Sequence, residues 1–459
     1  MKYFKLETDK PALSYKVGER MIFKITARDH SVNVDCRYLH WTLTGDDGKS
    51  SSGVSYIFAD KPLILETSCD RPGFVHLYCR AVDEDDVADT SFEEFNGGAG
   101  AEPEKILYHD NLPDDYDVFW NKVGKLIDDF TPIFSEMNEV KCGVKDGFKC
   151  FDVRISTPFG NYASGYLTMP LKEGKYPIQL HFMGYEVAGA LMCFEENTVC
   201  LTVNAHGIEN GIPVFELKKM YPELCNYGFN NDENKRPETS YWYKMVIRNL
   251  CAAKAARSLD YWNGLSITVN GGSQGGFQAL TVAAHDRHIT GADVFIPWFC
   301  DLNAENCGYQ AGWRPPFAHG LRYFDAAASG MFINCPVRIK AYLGDYVCPP
   351  STIMALYNNI KSDKEIIFIQ GGTHTYRHPE PREFLLTSSP EIKPGRYKLY
   401  KGEYIIIENL AENELSGDKY VIYTKDSDEK LYVGQLSEFA KMVYTENAIM
   451  PTIVSDCSD

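Results

Sequence analysis

The sequence predicts an α/β architecture in which helices cover both faces of a largely parallel sheet. The first observation is a series of short, continuously apolar segments within residues 105–387: PIQLHFMG, TVCLTVNAHG, LSITVNGGS, ADVFIPWF, VRIKAYLGD and EIIFIQGG. The second is that helical patterns separate these segments. The first pattern places one apolar stripe on Tyr116, Phe119, Trp120, Val123, Leu126, Ile127 and Phe130. The third is the length of 459 residues, which exceeds one ordinary core and predicts flanking domains.

The first 95 residues differ in pattern from the central segment. RMIFKITARD, RYLHWTLTGDDG and GFVHLYCRAVD alternate apolar and polar side chains between turn signals, and they contain no catalytic cluster. We therefore predict an immunoglobulin-like (Ig-like) β-sandwich over residues 1–95, with a spacer or assembly role. The segment NGGAGAEPE predicts a linker at 96–104, so that the central domain spans 105–387.

The carboxy-terminal segment is again rich in strand patterns. TSSPEIKPG predicts a second linker at 388–394, and the runs after it predict a small β-barrel over 395–448. Residues 397–404, YKLYKGEY, resemble the start of a short bacterial domain of unknown function. This resemblance implies no chemistry.

Composition excludes several classes of partner. The net charge is −17 and no block of Lys or Arg occurs, which argues against nucleic acid or an anionic membrane as a partner. No segment approaches the length of an apolar membrane span, and MKYFKLETDK lacks the apolar core of a secretory signal. The 14 cysteines are scattered without a CxxC pair, which predicts buried free thiols in a reducing compartment. We therefore expect a cytoplasmic protein.

A serine in a glycine-rich turn is the first candidate for chemistry. Residues 271–275, GGSQG, fit the G-x-S-x-G pattern, with a strand pattern before them and a helical pattern after them. A strand–turn–helix elbow of this kind exposes the serine of α/β-hydrolases beside the amino terminus of a helix. The alternative is a glycine-rich loop without chemistry. We predict an α/β-hydrolase central domain with Ser273 as its nucleophile.

The serine needs a base and an orienting acid, which follow it in the order acid, then histidine, in this fold. His374 comes directly after the apolar strand EIIFIQGG, whereas His378 lies in a proline-flanked stretch and is expected at the surface. Asp345 ends the strand VRIKAYLG, at the edge where open α/β sheets bind ligands. Asp293 begins its strand and lies at the wrong edge. We predict His374 as the base and Asp345 as the acid, with helix capping as the alternative role of Asp345.

Two backbone N–H groups should bind the oxyanion that forms during acyl transfer. One is the N–H of Gln274, which follows the nucleophile. The other is expected after an early strand, where IQLHFMGYEVAG places Tyr185. His181, within the same apolar strand, is interpreted as a satisfied core histidine. The predicted mechanism requires no metal and no organic cofactor.

Four motifs together resemble the family-seven carbohydrate esterases, the acetyl xylan esterase and cephalosporin C deacetylase group. They are HFMGY, GGSQGG, LGDYVCPPST and GGTH, and the resemblance covers about residues 110–385. It implies removal of acetyl groups from small acetylated sugars or xylo-oligosaccharides through a tight acyl pocket. It also implies a homo-oligomer, and it suggests Pro297, Trp298 and Asp301 as neighbours of the site.

Two residues depart from the family pattern. The segment NAHGI places His206 where the family usually has the arginine of Arg-Gly-Gln, and Thr375 follows His374 in place of a glutamate. Both changes affect how the loops around the site are braced. Two alternatives stay open at this point: a hydrolase of other bonds, such as a thioesterase or peptidase, and a catalytically inactive carbohydrate-binding or scaffold protein.

Overall fold

The computed structural model describes residues 1–143, 145–310, 312–388, 395–398, 404–412, 419–425 and 428–435. The chain forms two compact units, Met1–Leu386 and Thr387–Asp459. Within the described ranges, every helix is too short or too polar to cross a membrane.

The amino-terminal part of the first unit consists of two four-stranded antiparallel sheets. One contains β1, β2, β3 and β6, with β1, β3 and β6 all paired to β2; the other has the order β5-β4-β7-β8. Alternate residues of β2 are buried, as its period-two pattern requires. The strands are β1 (Lys2–Thr8), β2 (Met21–Asp29), β3 (Val32–Asn33), β4 (Cys36–Gly45), β5 (Ser50–Ile57), β6 (Leu63–Thr67), β7 (Gly73–Val82) and β8 (Phe95–Ala101).

The segment predicted as a linker at 96–104 is instead mostly strand. Its glycines lie in β8, which pairs with β7 along its whole length. A Cβ atom on Gly98 would lie 2.1 Å from the carbonyl oxygen of Val75, so the glycine permits a close approach of the two backbones. The linker prediction is therefore wrong, because glycine serves packing here and not flexibility.

A ten-stranded mixed sheet forms the centre of the first unit, which has an α/β architecture. Its order is β18-β17-β16-β15-β14-β12-β13-β11-β10-β9. The six strands from β13 through β12 and β14 to β17 are parallel, whereas β9, β10 and β11 are antiparallel. The strands are β9 (Phe134–Val140), β10 (Phe148–Ser156), β11 (Tyr162–Pro170), β12 (Tyr176–Phe182), β13 (Val199–Val203), β14 (Trp262–Gly272), β15 (Gly291–Phe295), β16 (Val337–Tyr342), β17 (Lys364–Gln370) and β18 (Arg382–Ser388).

The helices bury apolar faces that their sequences predict. The predicted stripe on α1 buries Tyr116, Phe119, Trp120, Val123 and Ile127. Nearly all of α4 is buried, in keeping with its position directly after the central strand β14. The α-helices are α1 (Tyr116–Asp129), α2 (Val214–Met220), α3 (Tyr241–Ala256), α4 (Gln274–His285), α5 (Ala326–Ser329) and α6 (Pro350–Asn359).

Two cysteines differ from the prediction of free thiols. Cys142 and Cys150 form a disulfide. Cys142 follows β9 and Cys150 lies on the neighbouring β10, so the connection between the strands brings their Cα atoms to 5.5 Å. The prediction is therefore wrong for this pair, since pairing of neighbouring strands cannot be read from cysteine spacing alone.

The described part of the second unit is a four-stranded antiparallel sheet. Its strands, in spatial and chain order, are β19 (Gly395–Lys398), β20 (Tyr404–Glu412), β21 (Lys419–Lys425) and β22 (Asp428–Gln435). The linker predicted at 388–394 lies outside the described residues except for Ser388. Of the barrel predicted at 395–448, residues 399–403, 413–418, 426–427 and 436–448 also lie outside them.

Candidate active site

Ser273 occupies the turn between the central strand and the helix that follows it. The strand β14 ends at Gly272 and α4 begins at Gln274, and Ser273 between them has φ 55° and ψ −122°. A positive φ at a residue other than glycine costs on the order of 1–3 kcal/mol. Two hydrogen bonds hold this conformation, from Ser273 N–H to the carbonyl of Phe295 (2.9 Å) and from Trp298 N–H to the carbonyl of Ser273 (3.0 Å).

Glycines surround Ser273 because neighbouring backbones come very close. A Cβ atom on Gly275 would lie 2.1 Å from the carbonyl oxygen of Phe182. A Cβ atom on Gly271 would lie 2.4 Å from the carbonyl carbon of Gly275. These contacts give Gly271 and Gly275 a steric reason, which is the packing of α4 against β12 and β14, whereas a Cβ on Gly272 would come no closer than 3.7 Å to a neighbour.

His374 and Asp345 are brought together from two neighbouring strand ends. Nδ1 of His374 lies 2.9 Å from Oδ2 of Asp345, whose side chain is fully buried. The other carboxylate oxygen, Oδ1, accepts the N–H groups of Val347 (2.9 Å) and Cys348 (3.0 Å). These bonds fix the carboxylate, and they also show that Asp345 holds the loop before α6 as well as the imidazole.

Cys348 lies at the centre of this group. Its sulfur, a ring nitrogen of His374 and a carboxylate oxygen of Asp345 all lie within 4.8 Å of one another. Burial, with the charge of Asp345, raises the pKa of Cys348 well above its usual value, so the thiol stays neutral at neutral pH. The Ser273 hydroxyl has a small opposing effect on the pKa of this thiol, which it lowers.

The loop after β12, which carries Tyr185, is tied to α4 by two glutamine side chains. Gln274 Nε2 donates to the carbonyl of Gly184 (3.3 Å), and Gln278 Nε2 donates to the carbonyl of Met183 (2.8 Å). As the first residue of α4, Gln274 has an N–H without an intrahelical acceptor. Sequence reasoning missed Gln278, although its position four residues after Gln274 places both on one helix face.

His206 braces the same loop. Its Nε2 lies 2.9 Å from the carbonyl oxygen of Glu186, and its Nδ1 contacts the hydroxyl of Tyr241. Burial lowers the pKa of His206 to about 4, so the ring is neutral at pH 7. A neutral imidazole has one donor and one acceptor. Nε2–H therefore donates to Glu186, while Nδ1 accepts from Tyr241.

The three suggested neighbours of the site differ in their surroundings. The ring of Trp298 packs edge-on against Tyr185, with Pro297 just before it in the chain, and its Nε1–H donates to the carbonyl of Trp313 (2.5 Å). Asp301 is fully buried, and its Oδ2 lies 2.6 Å from Nδ1 of His109. Trp298 is thus beside the loop of Tyr185, whereas the carboxylate of Asp301 is bound to His109.

His378 is buried, which corrects the expectation of a surface position. Its Nε2 lies 2.8 Å from the carbonyl oxygen of Phe4, and its Nδ1 accepts the N–H of Glu380 (3.0 Å). The amino-terminal strand β1 covers this histidine. The sequence gives no sign of this contact because 374 residues separate the two partners.

A serine at a strained strand–helix turn and a hydrogen-bonded His–Asp pair are parts of a serine hydrolase site, and the match to an esterase family places this α/β protein in the class of serine carboxylic ester hydrolases. The sequence model described as "Acetyl xylan esterase (AXE1)" matches residues 104–305 and 317–384 of this chain. The chain belongs to this acetyl xylan esterase family. The matched ranges contain Ser273, Asp345 and His374, and also Tyr185 and Gln274.

The chain is also similar to individual proteins. The chain is 27% identical over 387 residues to the acetyl esterase Axe7A of Xylanibacter ruminicola, covering 78% of this chain and 84% of the relative. The acetyl xylan esterase from Paenibacillus sp. R4 is 19% identical, with a TM-score of 0.47 and coverage of 60% of this chain and 94% of that one. Acetyl xylan esterase 1 from Thermoanaerobacterium sp. JW/SL YS485 is 19% identical, with a TM-score of 0.48 and coverage of 61% and 94%.

Proposed function

We propose that this protein removes acetyl groups from acetylated sugars or xylo-oligosaccharides by a Ser-His-Asp acyl-enzyme mechanism. The observation that carries the proposal is the bond between His374 Nδ1 and Asp345 Oδ2. The strained strand–helix turn at Ser273 supports this residue as the nucleophile. Family membership supports the acetyl ester as the bond that is cleaved.

The hydrogen bond to Asp345 sets the roles of the two ring nitrogens. With Nδ1–H donating to the carboxylate, Nε2 of His374 carries the lone pair that accepts the Ser273 proton. The Ser273 oxygen attacks the acetyl carbonyl, and the N–H groups of Gln274 and Tyr185 bind the oxyanion. His374 then protonates the leaving sugar oxygen. Water, deprotonated by His374, attacks the acetyl-serine, and acetate leaves.

Aromatic side chains beside the oxyanion loop favour a small acyl group. The ring of Tyr185 packs against Trp298 and Trp313, with centroid separations of 6.1 and 4.7 Å. Close ring packing beside Tyr185 is what a tight acyl pocket requires, whereas a long acyl chain or a peptide would need more room. We therefore favour an acetylesterase over a thioesterase or peptidase, and the intact His374–Asp345 pair argues against an inactive scaffold.

Acetate release by the Ser273→Ala variant tests the proposal. The wild type should release acetate from acetylated xylo-oligosaccharides and from 4-nitrophenyl acetate, and 4-nitrophenyl esters of longer acids should react more slowly. Loss of the nucleophile should lower the rate roughly 10⁴-fold or more. The exposed Ser52→Ala is the matched control and should keep both the rate and labelling by a fluorophosphonate probe. An unchanged rate in Ser273→Ala would overturn the mechanism, and a preference for long acyl chains would overturn the acetyl ester.

The proposal extends to the remainder of the molecule and its setting. We propose that the two amino-terminal sheets form an Ig-like sandwich, supported by their antiparallel pairing and common core, and that the second unit is a small barrel. We also propose that the protein is a homo-oligomer and that it is cytoplasmic. Light scattering tests the oligomeric state, and cell fractionation tests the location. A monomer, or a protein recovered outside the cytoplasm, would contradict these last two points.

A further inference from the structure

Three side chains of metal-binding type meet beside the strand that leads to the oxyanion loop. They are His181 on β12, Cys200 on β13, and Cys193 in the segment between these strands. One ring nitrogen and the two sulfur atoms all lie within 4.8 Å of one another. The proposed mechanism uses none of these groups.

The sheet itself sets two of these positions. β12 and β13 are parallel neighbours in which Cys200 is opposite Gln179 and Thr202 is opposite His181. Because side chains alternate along strands, all four lie on one face of the sheet. The third position is fixed from β11, where the hydroxyl of Thr168 donates to the carbonyl of Cys193 (2.5 Å).

The surroundings of the cluster contain the polar groups that a bound ion needs. Nε2 of His181 lies 3.2 Å from Oε1 of Gln179, a hydrogen bond that orients the ring as outer partners of metal-binding histidines do. The Oγ1 atom of Thr202 is buried, in a side chain only 3% exposed, and no hydrogen-bond partner for it occurs among the described residues. A water molecule on a bound ion would supply a hydrogen-bond partner for Thr202 Oγ1 on this face of the sheet.

We propose that His181, Cys193 and Cys200 bind a divalent cation of the zinc class, with a water molecule as the fourth ligand. Two thiolates and an imidazole are preferred ligands of Zn²⁺, which takes four ligands in a tetrahedron. Binding displaces two thiol protons to solvent and changes no oxidation state. A disulfide between Cys193 and Cys200 is the competing fate, but it would leave the converging imidazole without a role.

The ion would hold the loop that carries Tyr185 against the sheet. His181 lies four residues before Tyr185 and Cys193 eight residues after it, so one ion joins both ends of this segment to the sheet. The ion would thus have a structural role, because its three ligands take no part in the proposed mechanism. This role in positioning Tyr185 rests on the proposed esterase function, whereas ion binding itself does not.

Cobalt substitution tests the site without measuring activity. The reduced full-length protein should bind one Co²⁺ per chain and show sulfur-to-cobalt charge-transfer absorption, which Zn²⁺ should displace. Cys193→Ser and His181→Gln should each weaken binding by more than about tenfold. The exposed Cys225→Ser is the matched control and should bind as the wild type does. Zn²⁺ should also raise the melting temperature of the wild type and of Cys225→Ser only.

Separate readouts keep binding and function distinguishable. Far-ultraviolet circular dichroism checks that each variant is folded, and Cys193→Ser, at a partly exposed position, is the variant least dependent on core packing. Absence of the charge-transfer band in reduced, folded wild type would overturn the site. Equal Co²⁺ binding by Cys193→Ser would do the same. Failure of acetate release with intact Co²⁺ binding would overturn the proposed function only.

Discussion

Close contacts with neighbouring backbones determine which residues can occupy the turn around Ser273. Ser273 keeps a positive φ because hydrogen bonds to Phe295 and Trp298 hold it on both sides. Gly275 has no freedom to gain a side chain, since the carbonyl of Phe182 lies where its Cβ would be. The turn that carries Ser273 therefore requires α4 and β12 to lie very close together.

Gly275→Ala should therefore damage stability and catalysis together. The added methyl group must push β12 away from α4, which costs roughly 1–3 kcal/mol of unfolding free energy and displaces the oxyanion loop. Gly124→Ala on α1 is the matched control, because no heavy atom lies within 4 Å of its added Cβ. It should stabilise the helix by up to about 1 kcal/mol. Urea unfolding and acetate release measure both effects; equal behaviour of the two variants would refute the steric explanation.

The order of residues along the chain predicts the candidate triad but not what surrounds it. Ser273, Asp345 and His374 can be found because each follows an apolar strand and the fold dictates their order. The sequence also points to His206 as a residue that affects loop bracing, but its partners Tyr241 and Glu186 could not be found, because they lie 35 and 20 residues away. The amide of Gly98 illustrates the same limit, since its partner Gln370 is 272 residues away.

At the scale of elements, β8 is held against the end of β17. The side chain of Gln370 accepts the N–H of Gly98 (2.9 Å) and donates to its carbonyl (2.7 Å), as a neighbouring backbone would. Gln370 is the last residue of β17, four residues before His374. On the neighbouring strand end, a Cβ on Gly344 would lie 2.3 Å from the carbonyl oxygen of Asn96 in β8. The amino-terminal sheet thus supports both loops that carry Asp345 and His374.

Gln370→Leu should weaken this support. It leaves two buried polar groups of Gly98 without partners, at a cost of roughly 1–3 kcal/mol for each orphaned group. We expect a lower urea midpoint and a reduced kcat for acetate release, because the loop of His374 loses its anchor. Glu139→Leu, on the exposed side of β9, is the control and should change the unfolding free energy by less than about 0.5 kcal/mol. An unaltered midpoint in Gln370→Leu would show that the pair contributes no net stability.

At the scale of the whole molecule, the amino-terminal sheets and the central sheet share one core within Met1–Leu386. Phe74 of β7 packs against Phe368 of β17, with ring centroids 5.5 Å apart, and His76 stacks on Tyr346 at 3.7 Å. The pattern of apolar and polar residues predicts separate domains at 1–95 and 105–387, because it detects strands and not their packing partners. The two parts should accordingly fold as one cooperative unit.

Truncation distinguishes one unit from two. Residues 1–388 should fold and release acetate without the second unit, whereas residues 105–388 should aggregate because Phe368 and neighbouring apolar groups become exposed. Soluble yield and fluorophosphonate labelling of Ser273 are the measurements. Labelling of 105–388 at the rate of 1–388 would show that the amino-terminal sheets are dispensable for the site.

Buried groups in different parts of the molecule together determine how the unfolding free energy depends on pH, and their effects oppose one another. Burial lowers the pKa of His206 from 6.5 to about 4, so between these values the unfolded chain holds more protons and stability falls as the pH falls. Burial, with the charge of Asp301, raises the pKa of Asp325 to about 7, so this carboxyl removes stability as the pH rises from 3.8 to 7. The wild-type slope is a sum of such terms. The contribution of one histidine must therefore be measured as a difference between variants.

His206→Gln should remove about 2 kcal/mol of the change in unfolding free energy between pH 7 and pH 5. Urea unfolding at both pH values, in wild type and variant, gives this difference independently of Asp325. The exposed His30→Gln, with a side chain 90% exposed, is the control and should leave the difference unchanged. Because His206 must be neutral to accept from Tyr241, protonation at Nδ1 should break the hydrogen bond with Tyr241, whereas Nε2–H can still donate to the carbonyl of Glu186. An identical pH response in wild type and His206→Gln would mean that this imidazole titrates normally and does not brace the loop as a neutral ring.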